Sequence, residues 1–233
     1  MIDPEKIGVL GGTFDPPHWA HLRLATHFAT VLQLDQLLLI PSGNPWQKST
    51  EITPAAIRYQ LTLAASKALG RIFCDAGIPT QISVERMELD RPGPSYAVDT
   101  ATEIRQQLGI NARIIWLMGS DNLMRLNTWR NWQGLLDIVH LAVASRPGSP
   151  TSIDNSPLGQ WIRNHQTQNI RDLETKPFGF IYLDQSLNID LSSTLLRQCL
   201  MEKSPEQQGC LAEQIPPEVL AEIVNLGVYS QSR

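Results

Sequence analysis

The chain begins with a short apolar run that leads through two glycines into a long helix-like segment. Residues 6–10 have the composition of a buried strand, and residues 19–34 repeat apolar side chains with the spacing of an amphipathic helix. Gly11 and Gly12 allow a tight turn and a close approach of the backbone to a ligand. Free N–H groups and the positive end of the helix dipole would then face this turn. This order of elements predicts a site for a polyanion such as a nucleotide phosphate.

His18 and His21 lie at the predicted start of this helix. A spacing of three residues places both imidazoles on one face of the first turn, where they can reach the same ligand. A single histidine is more often a packed or solvated side chain than a functional one. The prediction of a phosphate site therefore depends on the coincidence of the strand, the Gly-Gly pair and the two histidines.

Strand-like and helix-like segments alternate along the rest of the chain, which is typical of a parallel sheet covered on both faces. Further strands are predicted at residues 37–40, 81–87, 113–118, 140–144 and 179–183. Helices are predicted at residues 54–68, 96–108, 193–201 and 217–226, the first two with Thr53 and Ser95 as N-caps. We therefore expect an α/β fold, a doubly wound Rossmann-like parallel sheet with helices on both faces and a helical C-terminal segment.

The 233 residues suit a single domain spanning residues 1–233. Residues 150–177 are polar and poorly patterned apart from a short helical segment at 158–165, and we interpret this stretch as a peripheral insertion. Polar clusters follow several predicted strands directly. Because ligands of open α/β sheets bind beyond the carboxyl ends of the strands, near the reversal of strand order, we expect one crevice to collect these clusters.

Charge and cysteine content exclude several classes of protein. The net charge is −4 without a basic stripe, which argues against a nucleic-acid partner. The three cysteines are odd in number and lack Cys-x-x-Cys spacing, which argues against a disulfide framework and a structural zinc site. No apolar run approaches the length that spans a bilayer, and no secretory leader is recognisable. We expect a cytoplasmic protein that acts on small molecules and has no membrane partner.

Residues 11–21 resemble the first signature of the nucleotidyltransferase superfamily, Gly-x-Phe-Asp-Pro-x-His-x-Gly-His. Ala20 stands where that signature has glycine, which adds one methyl group at the helix start. Residues 190–197 resemble the second signature, Ile-Ser-Ser-Thr-x-x-Arg. Hydroxyls and N–H groups at a helix start, with an arginine one turn later, can hold the oxygens of a polyphosphate, although Ser-Ser-Thr is also an ordinary N-cap.

Within the superfamily, residues 95–100, 118–123, 128–129 and 145–148 resemble segments of the nicotinate mononucleotide adenylyltransferase family. The similarity covers almost the whole chain, from residue 6 to residue 229. It implies transfer of AMP from ATP to nicotinate mononucleotide, which gives nicotinate adenine dinucleotide and pyrophosphate in NAD biosynthesis. It also implies Mg²⁺ as the cofactor that accompanies ATP, and it leaves open whether the chain forms a homo-oligomer.

The resemblance also assigns roles to individual residues. The predicted catalytic residues, which neutralise phosphate charge, are His18, His21, Lys48 and Arg197. The predicted ATP-binding residues are Gly11, Gly12, Thr13, Phe14, Gly119, Asp121, Arg146, Ser192, Ser193 and Thr194. The predicted pyridine nucleotide-binding residues are Ser95, Tyr96, Ala97, Trp129 and Arg130, with Trp129 stacked on the pyridine ring. No residue is predicted to ligate a metal directly.

Some of these residues also suit purely structural positions. Trp129 is as compatible with a packed core as with a ring stack. Asp121 follows a strand and suits a helix cap, while Lys48 and Arg146 suit solvated surface positions. The sequence leaves these alternatives open.

Four positions depart from the family pattern, namely Ala20, Trp46, Gln47 and Ala97, with Trp46 in place of a proline. Gln47 replaces a histidine next to Lys48, and Ala97 replaces a threonine beside the expected pyridine site. Two alternative functions follow from these departures: a nicotinamide mononucleotide adenylyltransferase, and a nucleotide-binding regulator with reduced catalytic activity. Retention of all four predicted catalytic residues favours an active enzyme.

Overall fold

The computed structural model describes residues 5–46, 52–144, 155–187 and 213–229. These residues form a parallel sheet of strand order β3-β2-β1-β4-β5-β7-β6. The strands are β1 Lys6–Gly12, β2 Gln36–Pro41, β3 Gln81–Val84, β4 Arg113–Gly119, β5 His140–Ala144, β6 Gln166–Thr167 and β7 Ile181–Asp184. The helices are α1 Trp19–Leu32, α2 Ala55–Ala76, α3 Met87–Asp90, α4 Ala97–Leu108, α5 Ser120–Leu123, α6 Pro157–His165, α7 Asp172–Thr175 and a C-terminal helix, Pro217–Leu226.

Two apolar cores cover the two faces of the sheet, and the side chains of each central strand alternate between them. In β4, Ile115 and Leu117 belong to the core that contains α1, α2 and the C-terminal helix. Ile114 and Trp116 belong to the opposite core, which contains α4 and α6. This period of two, with both faces buried, is what a doubly wound parallel sheet requires. The predicted fold class is confirmed.

Several predicted boundaries were wrong for local reasons. The helix predicted to end at residue 68 continues to Ala76, because its apolar stripe extends through Phe73, which is buried against the sheet. The strand predicted at residues 81–87 ends at Val84, because the chain turns into the short helix α3 at Met87.

Neither predicted N-cap has that role. The N-cap positions of α2 and α4 are occupied by Pro54 and Tyr96, and no side-chain hydrogen bond caps either helix. The carbonyl of Thr53 accepts a hydrogen bond from Arg58, and the hydroxyl of Ser95 accepts from the loop after β2. The Ser95 hydroxyl thus binds a segment far away in the sequence, and Thr53 binds the side chain of a residue in the helix that follows it.

The described part of the predicted insertion lies beside β7 and supplies β6, the edge strand on that side of the sheet. It forms α6, β6 and α7, and β6 pairs with β7 in parallel. The predicted helix at residues 158–165 is confirmed as α6, which begins after Ser156, whose hydroxyl accepts the N–H of Gly159. The predicted helix at residues 193–201 lies outside the described residues. No helix in the described ranges is long and apolar enough to cross a bilayer.

A buried histidine joins β5 to the segment that leads into β7. His140 is fully buried, and its Nδ1 accepts the N–H of Phe180 at 3.1 Å. Its Nε2 must then carry the proton, and Nε2 donates to the carbonyl of Lys176 at 2.9 Å. Burial lowers the pKa of His140 to about 4, aided by the nearby cations of Lys176, Arg105 and Arg113.

We expect His140 to make the fold acid-sensitive. Its ordinary pKa of 6.5 applies to the unfolded chain, so the unfolded state takes up a proton first and stability is lost as the pH falls from about 6.5 towards 4. At pH 5 this loss is about 2 kcal/mol. Chemical denaturation at pH 7.5 and pH 5 should therefore show a smaller acid-induced loss in His140→Gln than in the wild type. If the wild type and His140→Gln lost the same unfolding free energy between pH 7.5 and pH 5, His140 would not be the cause of the acid sensitivity.

Candidate active site

A cavity of about 720 Å³ opens at the carboxyl ends of β1 and β4. β1 pairs in parallel with β2 on one side and β4 on the other, so this is where the strand order reverses. The predicted site residues that line this cavity are Gly11, Gly12, Thr13, Phe14, His18, His21, Ser95, Tyr96, Ala97, Gly119, Asp121, Trp129 and Arg130. The other predicted site residues lie outside the described ranges, and they are Lys48, Arg146, Ser192, Ser193, Thr194 and Arg197.

The two glycines after the first apolar run end β1 instead of forming the turn itself. A Cβ atom on Gly11 would lie 3.0 Å from the ring of Trp116, and one on Gly12 would lie 3.3 Å from the ring of Phe14. Aromatic rings therefore pack closely against the backbone at both positions, and a side chain at either one would require the ring to move. The turn follows, and Phe14 within it adopts a positive φ of 49°, an uncommon conformation for a bulky side chain.

His18 and His21 form the compact pair that their spacing predicts. Their ring centroids lie 3.8 Å apart, and His18 occupies the N-cap position of α1 with an extended backbone. The N–H of His18 donates to Nδ1 of His21 at 3.2 Å. Because Nδ1 accepts this hydrogen bond, the proton of neutral His21 resides on Nε2, which makes Nε2 the donor of that ring. Phe14 holds His21 edge-on, with ring centroids 5.0 Å apart.

The end of β4 forms the cavity wall beside the histidines. Gly119 is the last residue of β4, and a Cβ atom there would lie 2.6 Å from Oδ1 of Asp121. The Asp121 carboxylate is therefore folded over the backbone of Gly119 while remaining exposed to solvent. This position suits an acceptor for the hydroxyl groups of a ligand bound over the strand end.

Aromatic and cationic side chains form the opposite wall. The ring of Trp46 lies 5.9 Å from that of Tyr96, and the guanidinium of Arg130 lies 4.8 Å from the Tyr96 ring. Arg130 also forms an exposed ion pair with Asp99 at 3.4 Å. Trp129 lines the same cavity and is half-buried against the core, so it combines the two positions that the sequence left open.

Ser95 joins this wall to the loop after β2. Its Oγ accepts the N–H groups of Gly43 and Asn44 at 3.0 and 3.1 Å. Beneath it lies the buried Glu88, whose carboxylate accepts the hydroxyl of Thr100 at 2.7 Å. Burial raises the pKa of Glu88, and hydrogen bonds from the Thr100 and Ser95 hydroxyls oppose that shift.

Sequence reasoning missed the buried polar residues that support the cavity from below. Arg58 is 1% exposed, and Asp15 is also 1% exposed. The Tyr229 hydroxyl donates to Asp15 Oδ1 at 2.5 Å, which brings the C-terminal segment to the first loop. One signal was available for Arg58, because it occupies the apolar stripe of α2 one turn before Leu61 and Thr62.

The chain matches the family model described as Cytidylyltransferase-like over residues 9–199. A protein of Herminiimonas arsenicoxydans named "Probable nicotinate-nucleotide adenylyltransferase" is 36% identical over 196 residues, which cover 83% of this chain and 85% of that protein. A protein of the same name from Pectobacterium atrosepticum is 32% identical over 97% of this chain and 99% of its own length. This chain belongs to the nicotinate-nucleotide adenylyltransferase family.

Solved structures show the same fold. The nicotinic acid mononucleotide adenylyltransferase of Plasmodium falciparum, complexed with NaAD, superimposes with a TM-score of 0.67 at 15% identity, over 97% of both chains. A Vibrio parahaemolyticus protein named "Putative Nicotinate-nucleotide Adenylyltransferase" superimposes with a TM-score of 0.56 at 16% identity, over 98% of this chain and 97% of that one. At 15% and 16% identity, these superpositions show that the fold is shared and nothing beyond the fold.

We expect Gly43→Ala to separate the loop after β2 from α3. The added Cβ atom would lie 1.9 Å from the carbonyl oxygen of Glu88, and a backbone atom cannot rotate away as a side chain can. The free energy of unfolding should fall by about 1–3 kcal/mol, as for other overpacked sites. The control is Gly70→Ala at an exposed position of α2, where the new methyl group contacts nothing within 4 Å, so that this variant should gain about 0.5–1 kcal/mol. Thermal melting checks both variants, and a Gly43→Ala protein with the melting temperature of the wild type would contradict the steric argument.

Proposed function

We propose that this protein transfers AMP from ATP to nicotinate mononucleotide, which yields nicotinate adenine dinucleotide and pyrophosphate in NAD biosynthesis. The observation that carries the proposal is a single cavity that brings the His18 and His21 pair together with the aromatic wall of Tyr96 and Trp129. Family membership supports the same reaction. The cavity of about 720 Å³ lies in the size range of small-molecule sites.

In the proposed reaction an oxygen of the acceptor phosphate attacks the α-phosphorus of ATP. A new P–O bond forms as the bond from the α-phosphorus to the oxygen bridging to the β-phosphorus breaks, and that electron pair leaves with pyrophosphate. The attacking oxygen is already anionic at neutral pH, so the reaction needs no strong general base and no covalent enzyme intermediate. Catalysis then consists of alignment and stabilisation of phosphate charge.

His18 and His21 are suited to stabilising that charge. We assign His18 to the transferring phosphoryl group, because it lies at the end of the first loop, directly before α1. The Nε2–H of His21 would donate to the leaving pyrophosphate. The family resemblance adds Lys48, Ser193 and Arg197 to the pyrophosphate site, and it adds Arg146, Ser192 and Thr194 to the ATP site.

The aromatic wall would receive the pyridine nucleotide. Trp129 offers a flat face to the pyridine ring. Ala97 is the first residue of α4, where backbone N–H groups have no intrahelical acceptor and favour an anion such as the nicotinate carboxylate. Main-chain groups near Tyr96 and Arg130 complete this proposed carboxylate site, while Asp121 would accept from ribose hydroxyls at the end of β4.

We further propose that ATP enters as its Mg²⁺ complex. Within the described residues no group of three or more histidine, cysteine or acidic side chains could cage a metal. In this proposal phosphate oxygens and water carry the ion, as they usually carry Mg²⁺ in nucleotide sites. The charge supplied by Mg²⁺ would then add to that of the histidines.

The proposed substrates are small molecules of the cytoplasm, and the proposal needs no nucleic acid, membrane or second copy of the chain.

The direct test is release of pyrophosphate from ATP with each of two acceptors. We expect kcat/KM to be at least about tenfold higher with nicotinate mononucleotide than with nicotinamide mononucleotide, because backbone N–H donors favour a carboxylate over a neutral amide. A preference for the amide would identify the alternative substrate. ATP binding by calorimetry without pyrophosphate release from either acceptor would indicate a nucleotide-binding regulator.

We expect His18→Ala to lower kcat by about 10² to 10³, the usual cost of removing one donor that stabilises charge in a transition state. The matched control is His165→Ala, since His165 lies on α6 and binds the carbonyl of Trp161. Steady-state kinetics of both variants, with circular dichroism to verify folding, make the comparison. A folded His18→Ala enzyme with near-normal kcat would remove His18 from the chemical step.

A further inference from the structure

The largest fully buried side chain of the described residues is an arginine beneath the cavity. Arg58 of α2 donates through Nη1 to the carbonyl of Thr13 at 2.8 Å. It donates through Nη2 to the carbonyl of Gly43 at 3.1 Å and through Nε to the carbonyl of Thr53 at 2.8 Å. One planar guanidinium therefore binds three segments: the loop after β1, the loop after β2 and the residues before α2.

The positive charge of Arg58 is balanced by buried neighbours. Burial lowers the pKa of the Arg58 guanidinium, and the nearby carboxyl groups, that of Asp15 before that of Glu88, oppose that shift. Asp15 is held in turn by the Tyr229 hydroxyl and by the N–H of Thr53 at 3.3 Å. The network thus connects both ends of the chain beneath the first loop.

Fold stability alone gives a poor account of this arginine. Its position belongs to an apolar stripe, and replacing a buried ionic network by packed apolar side chains is often neutral or stabilising. Within the described residues, the three hydrogen bonds of Arg58 all go to backbone carbonyls that lie outside helices and strands. What a guanidinium adds is a rigid fork that holds several acceptors in one plane.

The loops that Arg58 joins carry the two halves of the cavity. Thr13 belongs to the loop that leads to His18, and both residues line the cavity. Gly43 binds Ser95 through its N–H, and Ser95 precedes the wall formed by Tyr96. A continuous chain of hydrogen bonds therefore runs from the loop of the histidines through Arg58 and Gly43 to the aromatic wall.

We propose that Arg58 is a positioning residue, which sets the loop of His18 and the wall of Ser95 and Tyr96 at the separation that aligns the two bound substrates for reaction. This inference rests on the proposed function, since alignment is what that reaction requires. Arg58 contacts neither substrate in this proposal. Its loss should therefore lower the rate of the chemical step while each substrate still binds to its own half of the cavity.

The test compares Arg58→Lys with Arg71→Lys, a control on the same helix whose side chain is exposed and paired with Glu218. Lysine keeps the charge but cannot reproduce the fork that joins three carbonyls. We expect Arg58→Lys to lower kcat by at least about tenfold with both KM values within about threefold of wild type. Arg71→Lys should leave kcat and both KM values unchanged.

Added guanidinium provides a second readout. In Arg58→Ala, guanidinium ion at millimolar concentration should restore part of kcat, whereas the same concentration of sodium ion should not. A role limited to stability would make kcat follow the melting temperature among the variants, with full recovery at low temperature. That pattern, or a folded Arg58→Lys enzyme with wild-type kcat, would overturn the proposal.

If Arg58→Lys fails to fold, the double variant Asp15→Asn with Arg58→Met decides the question, because it removes both buried charges together. A folded double variant with reduced kcat and unchanged KM values supports positioning, and a folded one with normal kcat overturns it. Failure of the proposed function is distinguishable, because the wild-type protein would then release no pyrophosphate with either mononucleotide.

Discussion

The parallel pairing of β1 with both β2 and β4 is the constraint on which the rest of the structure depends. It reverses the strand order at β1, so that chain segments leave the sheet towards opposite faces and a crevice opens at the carboxyl ends. The apolar alternation of β4 buries both faces and makes this pairing stable. As a result, the first loop, α1 and the end of β4 all line one cavity.

Two layers of polar structure make that crevice suitable for anionic ligands. In the upper layer, the backbone N–H of His18 fixes the tautomer of His21, so a donor at Nε2 is prepared before a ligand arrives. In the lower layer, Arg58 and Asp15 are buried away from water. Arg58 donates hydrogen bonds to loop carbonyls, and Asp15 accepts one from the Tyr229 hydroxyl. Precise sites need such support, because binding side chains on loops move unless a second set of contacts restrains them.

Much of the fold and part of the site were predictable, for a common reason. Strands β4 and β5 and helix α6 have clear local patterns, and the His18 and His21 pair needs only the period of one helix turn. Errors arose where a distant partner overrode local preference. Ser95 has the side chain of an N-cap, yet its hydroxyl binds the loop after β2, and no periodicity in the sequence reports that contact.

The sequence by itself determined the sheet class, the pairing of His18 with His21 and the family, because these depend on residue types at short and regular spacings. Only the tertiary structure decided that an arginine in an apolar stripe reaches three carbonyls, and that Tyr229 closes on Asp15 across 214 positions of the chain. Such contacts depend on the packing of segments far apart in sequence. A hydrogen bond of this kind exists only after the core has brought its two ends together.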